Sequence, residues 1–176
     1  MTRPALDEMN CAIARTLDVI GDRWTGLILR DVSLGITRFD AIQRDLGISR
    51  RVLSERLAGM VEHGVLQRVP YQEAPTRYDY FPTEKGADLG LVLLAMQSWG
   101  NRWLFDDEAI PLLLRHEPCG HEVSPVLACP ECGEELRAQD VVPVAGPGDL
   151  DGELPAALAR WNELRLVDPA PVSSDE

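Results

Sequence analysis

Long apolar runs are missing from these 176 residues. The longest, Leu89 to Met96, falls far short of the roughly 20 residues that a membrane-spanning helix needs. The opening stretch, Met1 to Glu8, has no apolar region of the signal-peptide kind. The expectation is a cytoplasmic chain with no membrane partner. Lysine is almost absent, with Lys85 alone among 17 basic residues; a GC-rich coding sequence or a preference for guanidinium chemistry would each produce that. There are only three histidines and four cysteines. No histidine stands in a nucleophile or acid–base set and no glycine-rich phosphate loop occurs, so no enzyme is expected.

Positive charge is also scarce. The net charge is −12, which by itself speaks against nucleic acid, because phosphate contacts need arginine and lysine. The distribution says more than the total. Residues 9–105 hold 12 basic against 11 acidic side chains, whereas residues 106–176 hold 4 against 16. The chain is therefore a nearly neutral first part followed by a strongly acidic second part. With 45% hydrophobic residues it has material for one ordinary core and a small appendage.

Within the neutral part, apolar residues recur at helical spacing. Ile13, Leu17 and Ile20 mark a first helix capped at Met9 or Asn10, and Trp24, Leu27, Ile28 and Val32 mark a second over Arg23 to Val32. Thr37 is placed to cap a third, carrying Phe39, Ile42 and Leu46, with Gly47 as its left-handed stop. Ser49 then caps a fourth, whose Leu53, Leu57, Met60 and Val61 face one way while Arg51, Ser54, Glu55 and Ala58 face the other. Past Gly64, Val65 to Val69 and Arg77 to Phe81 read as two strands of a hairpin with Glu73, Ala74 and Pro75 at its tip. Thr83 and Gly86 start a long helix ending near Leu104. The expected fold is mainly α with a small β-hairpin wing, a winged helix-turn-helix.

Two helices joined by a short glycine-containing turn, the second capped and polar outside, place a recognition helix in the DNA major groove. Arg50, Arg51 and Ser54 near its start suit base edges or phosphates. Glu55 suits cytosine N4 or a pairing with Arg51. Arg38 and Arg44 on the preceding helix suit phosphates, and Arg77 beside the hairpin tip suits a minor groove.

These residues also carry a resemblance. Cys11, Arg15 and Ile20-Gly21-Asp22-Arg23-Trp24, then Thr37-Arg38-Phe39, Gly47-Ile48-Ser49, Leu53-Ser54-x-Arg56-Leu57, Gly64-Val65-Leu66 and Tyr78-x-Tyr80-x-Pro82-Thr83-x2-Gly86 resemble the HxlR-type regulators, relatives of the MarR-type winged helices. The resemblance covers Met9 to Phe105. It implies a homodimer that binds a pseudo-palindromic operator in double-stranded DNA and usually represses nearby genes, and it adds Ser49 and Arg56 to the DNA-binding candidates. It also implies a small-molecule or oxidant effector, with Cys11 as the possible redox sensor. A helix N-terminus and Arg15 one turn on would favour the thiolate, while a buried structural thiol fits the apolar neighbours equally. The exposed stripe of Leu91, Leu94 and Trp99 would supply a dimer face or cover its own core.

The acidic part holds His116-Glu117-Pro118-Cys119-Gly120 and Cys129-Pro130-Glu131-Cys132-Gly133. Paired knuckles of this form point to a small zinc-ribbon-like module over 106–145, with structural zinc held by His116, Cys119, Cys129 and Cys132, or with His121 in place of His116. Residues 146–176 read as linker, a short helix over Leu154 to Leu166 and a disordered tail from Pro169. The rival reading is a winged-helix and zinc-ribbon adaptor that binds proteins without specific DNA contact.

Overall fold

The computed structural model describes residues 5–144 and 146–148. Its elements run α1 (Ala12–Ile20), α2 (Thr25–Ser33), α3 (Phe39–Leu46), α4 (Arg50–Glu62), β1 (Leu66–Glu73), β2 (Thr76–Pro82), α5 (Glu84–Leu104), β3 (Leu114–His116) and β4 (His121–Val123). This is the winged helix-turn-helix order.

The core is one cluster. Leu53, Leu57 and Met60 of α4 recur at helical spacing and pack with Ile28, Leu29 and Val32 of α2, Ile42 of α3, and Val65 and Leu66 at the entry to the hairpin. Each fully buried aliphatic side chain of this kind contributes about 1.5–3 kcal/mol. Ile48 plugs the turn between α3 and α4 into the same cluster. That turn is only Gly47, Ile48 and Ser49, and it works because Gly47 takes φ 62°, a left-handed value that costs glycine nothing. Ser49 Oγ then accepts from Val52 N at 3.3 Å and caps α4.

The wing is an antiparallel pair with Leu66 opposite Pro82 and Arg68 opposite Tyr80. Its register shifts between Pro70 and Gln72, where proline has no N–H to give to the ladder. Both strands extend beyond their expected ends, to Glu73 and Pro82. The sequence expectation that Thr37 caps α3 does not hold; Arg38 occupies the N-cap, with no capping side-chain hydrogen bond. Thr37 Oγ1 instead donates to Asp79 Oδ1 at 2.7 Å, and Tyr80 N donates to Thr37 O at 2.9 Å. A local cap has been exchanged for a tie between α3 and the wing.

Two other helix starts differ from expectation. α1 begins after Cys11 and not after Met9 or Asn10. α2 begins at Thr25, because Asp22 Oδ1 accepts from the amides of Trp24 at 2.8 Å and Thr25 at 3.1 Å and so fixes the turn before it. On α2, Leu29 is fully buried and Leu27 is exposed, which rotates the buried stripe by about one position from the expected one.

The chain falls into two units, Met1–Pro125 and Val126–Glu176. The division lies inside the segment 106–145. In the first unit, Gln97 and Asn101 of α5 both donate to Leu112 O, at 3.1 and 3.0 Å, ahead of the β3–β4 hairpin. In the second, Leu136 N donates to Leu127 O at 2.7 Å and Cys129 N to Glu134 O at 2.8 Å, closing a small loop around Cys129–Gly133. The expected helix over 154–166 and the tail from 169 lie outside the described residues.

Candidate nucleic-acid interface

The polar face of α4 is where the sequence puts it. Ser49, Arg50, Arg51, Ser54 and Glu55 are all exposed at its N-terminal half. Arg51 Nε lies 2.9 Å from Glu55 Oε1, so Glu55 engages its i,i+4 neighbour. Arg44 of α3 is exposed too. Beside this face stand Arg38 and the wing residue Arg77.

What the spacing did not disclose is how the arginines are held. Arg50 Nη1 lies 2.8 Å from Asp40 Oδ1 and 3.3 Å from Gln43 Oε1, with its guanidinium 4.8 Å from the Phe39 ring centroid. Arg77 Nη1 lies 3.9 Å from the other oxygen of the same carboxylate, Asp40 Oδ2. The Arg50 hydrogen bond, helped by the charges of Arg50, Arg77 and Arg44, holds the Asp40 carboxyl below its ordinary range. Arg38 is treated the same way: its Nε is 3.3 Å from Asp79 Oδ1 and its guanidinium 4.4 Å over the Tyr71 ring. A cleft of about 290 Å³ opens between α3, the start of α4 and the wing, lined by Phe39, Asp40, Arg50, Tyr71, Arg77 and Tyr78 among others. The reading head is thus a set of exposed arginines of which Arg38, Arg50, Arg51 and Arg77 lean on an acid, and Arg38 and Arg50 on an aromatic ring as well.

Arg56 stands elsewhere. Its Nη1 lies 3.5 Å from Asp22 Oδ2, an atom that also accepts from the Thr25 hydroxyl. Burial pushes the Asp22 carboxyl up, but the Thr25 hydroxyl, the amides of Trp24 and Thr25, and Arg56 outweigh it and hold the group below its usual value. Arg56 therefore ties α4 to the α1–α2 turn, apart from Arg50 and Arg77.

Cys11 is exposed at the N-cap of α1, so it is not a buried structural thiol. Arg15 Nε donates to Met9 O at 2.9 Å. On the surface of the same unit, Ile13 and Leu17 of α1 and Leu91, Met96, Trp99 and Trp103 of α5 are exposed, while Leu94 is half-buried.

The two knuckles share one backbone hydrogen bond and a left-handed glycine. In the first, Cys119 N and Gly120 N both donate to His116 O, at 3.2 and 2.7 Å, and Gly120 has φ 73°. In the second, Gly133 N donates to Cys129 O at 2.8 Å and Gly133 has φ 76°. His116 Nδ1 lies 3.2 Å from Cys119 Sγ, whereas His121 is the cross-strand neighbour of His116. Hydrogen bonds from the amides of Cys132 and Glu131, then from the Cys132 side chain, hold the Cys129 thiol below its ordinary value. Among the described residues, no group of three or more His, Cys, Asp or Glu side chains is gathered closely enough to hold a metal ion.

Comparison with known proteins agrees with this geometry. Residues 19–108, just over half the chain, match the profile described as HxlR-like helix-turn-helix. The HTH-type transcriptional regulator Rv3095 of Mycobacterium tuberculosis, itself uncharacterized, is 44% identical over 137 residues, covering 78% of this chain and 87% of its own. An alignment of that length necessarily runs past Cys132. The regulator YdeP of Bacillus subtilis is 33% identical over 98 residues, 55% of this chain and 77% of its own. Among solved structures, the candidate transcription factor PA1607 superposes with a TM-score of 0.71 at 35% identity, covering 81% of this chain and 99% of its own. PA1374 of Pseudomonas aeruginosa, also a candidate transcription factor, gives 0.59 at 37% identity, covering 81% and 97%. The likeness is to transcriptional regulators and not to protein-interaction adaptors.

Proposed function

We propose that this chain, which belongs to the HxlR-like helix-turn-helix family and is a DNA-binding transcriptional regulator, acts as a homodimeric cytoplasmic repressor on a pseudo-palindromic operator and has no catalytic role. The observation that carries the reading is the exposed, Ser49-capped start of α4, with Arg50, Arg51 and Ser54 outward and the Arg77 wing beside it. Arg50 and Arg51 suit guanine edges or phosphates, Ser54 either, Arg77 a minor groove, and Arg38 and Arg44 the flanking backbone. Footprinting of the purified protein upstream of its own and neighbouring genes tests it. A protected segment at low salt is expected, with affinity falling steeply as salt rises; no protection at low salt overturns the reading.

The effector in this proposal is a small molecule or an oxidant. Exposure of Cys11 at the start of a helix supports the oxidant. Protection that responds to oxidant in the wild type and not in Cys11→Ser is the expected result, and equal protection in all four arms removes thiol sensing.

Structural zinc is proposed on the sequence, through His116, Cys119, Cys129 and Cys132. Support comes from the shared spacing and from the left-handed glycine that closes each knuckle. Near-stoichiometric zinc in the wild type and its loss in Cys132→Ser are expected by metal analysis of the full chain; a zinc-free wild type ends the proposal.

A further inference from the structure

One carboxylate holds arginines from two different elements of the reading head. Asp40 sits in the first turn of α3 and offers Oδ1 to Arg50, at the start of α4, and Oδ2 to Arg77, beside the tip of the wing. All three side chains are about half exposed or more. Exposed pairs of this kind add little to stability, and a carboxylate in a first helical turn is favoured by no more than a modest dipole contribution. Stability therefore gives no strong reason for an acid at this place. Against DNA its effect is large, because a negative group at the mouth of the cleft meets the phosphate backbone and occupies two guanidinium groups that would otherwise neutralise it.

Resting on the regulator reading above, we infer that Asp40 is a specificity-determining residue that competes with DNA phosphates for Arg50 and Arg77, offsets one of their two positive charges, and holds both guanidinium groups for base and groove contacts. A random duplex offers only phosphates, so it must break the Asp40 contacts for a contact that any DNA provides. An operator is read on base edges by Arg50 and in a groove by Arg77, through N–H groups other than the Nη1 that each gives to Asp40, so its complex keeps the Asp40 contacts. The acid thus weakens non-specific binding more than specific binding. The two arginines are 27 residues apart, so one carboxylate links the recognition helix and the wing before DNA arrives.

The test uses the full-length wild type, Asp40→Asn and Asp40→Glu, with fluorescence anisotropy on the footprinted duplex and on a scrambled duplex of equal length, between about 50 and 200 mM salt. Asp40→Asn is expected to bind the scrambled duplex about threefold or more tightly, and to steepen the slope of log affinity against log salt by about 1, for the one negative charge removed. Its gain on the operator is smaller, so the specificity ratio falls. Asp40→Glu keeps the wild-type ratio and slope, and thermal melting changes little in either variant, which separates the effect from folding. An unchanged slope in Asp40→Asn, an equal shift on both duplexes, or an Asp40→Glu that behaves as Asp40→Asn overturns the role of Asp40. A wild type that binds neither duplex at low salt overturns the regulator reading instead.

Discussion

Among the described residues, Asp31 is the charged side chain that the core of the first unit takes in. It is fully buried on α2, with Arg30 Nη2 2.6 Å and Nε 2.9 Å from its Oδ1, and no described group donates to Oδ2. Burial pushes its carboxyl above the ordinary value, against the opposing hydrogen bond and charge of Arg30. The raised group is penalised when ionised in the folded state, so stability on its account is lowest above the folded pKa and recovers as pH falls through that value toward the unfolded one. Asp31→Asn removes the ionisation and keeps an acceptor for Arg30. At pH 7 its unfolding free energy should equal or exceed that of the wild type by up to about 1 kcal/mol, and the advantage should shrink as pH is lowered toward about 4. Urea melts of both proteins across that range check it, and a loss of more than about 1 kcal/mol at neutral pH would show that the Arg30 ion pair outweighs desolvation. Neither Asp31 nor Asp40 was legible in the sequence. A carboxylate among helical apolar positions reads as a break in the stripe, and one among arginines reads as a solvated partner. Only folding brings Arg77 to within 4 Å of a residue 37 positions earlier.

At the scale of elements, the parts governed by local chemistry were legible and those governed by distant partners were not. Ser49, Gly47 and Gly64 act through their own dihedrals and near amides, and each stands in its expected role. Thr37 has a choice, because the hydroxyl that would cap α3 also reaches Asp79 on β2, and the distant bond wins. Arg56 is placed by Asp22 in the same way, 34 residues away. The start of α5 shows both rules together. Thr83 Oγ1 accepts from Gly86 N at 3.2 Å as a cap, and it donates to Gly64 O at 2.6 Å, which draws the helix against the end of α4. That approach leaves no room at Gly86, where a Cβ would overlap Val65 O and lie 3.3 Å from Pro82 Cβ. Gly86→Ala should therefore destabilise the protein by about 1–3 kcal/mol through a forced backbone shift. Gly59, inside α4 with nothing within 4 Å of a built Cβ, should respond oppositely, Gly59→Ala adding about 0.5–1 kcal/mol. Thermal unfolding of the pair checks the contrast; a neutral Gly86→Ala would mean that α5 does not need its close seat on Val65.

For the whole molecule, the question is how a head of net charge +1 over residues 9–105 holds DNA while 16 acids follow it. Placement of a few arginines, several of them already leaning on acids, supplies too little for tight binding by one copy. Two linked heads raise affinity without any new contact, because the second binds at the effective concentration set by the first. This gives the proposed dimer a functional reason besides its apolar surface. Both helices expose large apolar side chains, Ile13 at 73% on α1 and Leu91 at 67% and Trp99 at 60% on α5, of the kind that an isologous interface covers. Leu91→Glu with Trp99→Glu places two like charges on each side of such an interface and should leave the core cluster untouched, since neither residue belongs to it. The expected result is a chain that sediments as a monomer at concentrations where the wild type is a dimer, with unchanged helical circular dichroism. Its affinity for the footprinted duplex should fall about 100-fold or more, while its weak affinity for a duplex carrying one half-site stays near the wild-type value. A wild type that sediments as a monomer at tens of micromolar would rule the dimer out. A monomeric double variant with full operator affinity would mean that one head suffices, and that the charge of the reading face is used more efficiently than its pairing with Asp40, Glu55 and Asp79 implies.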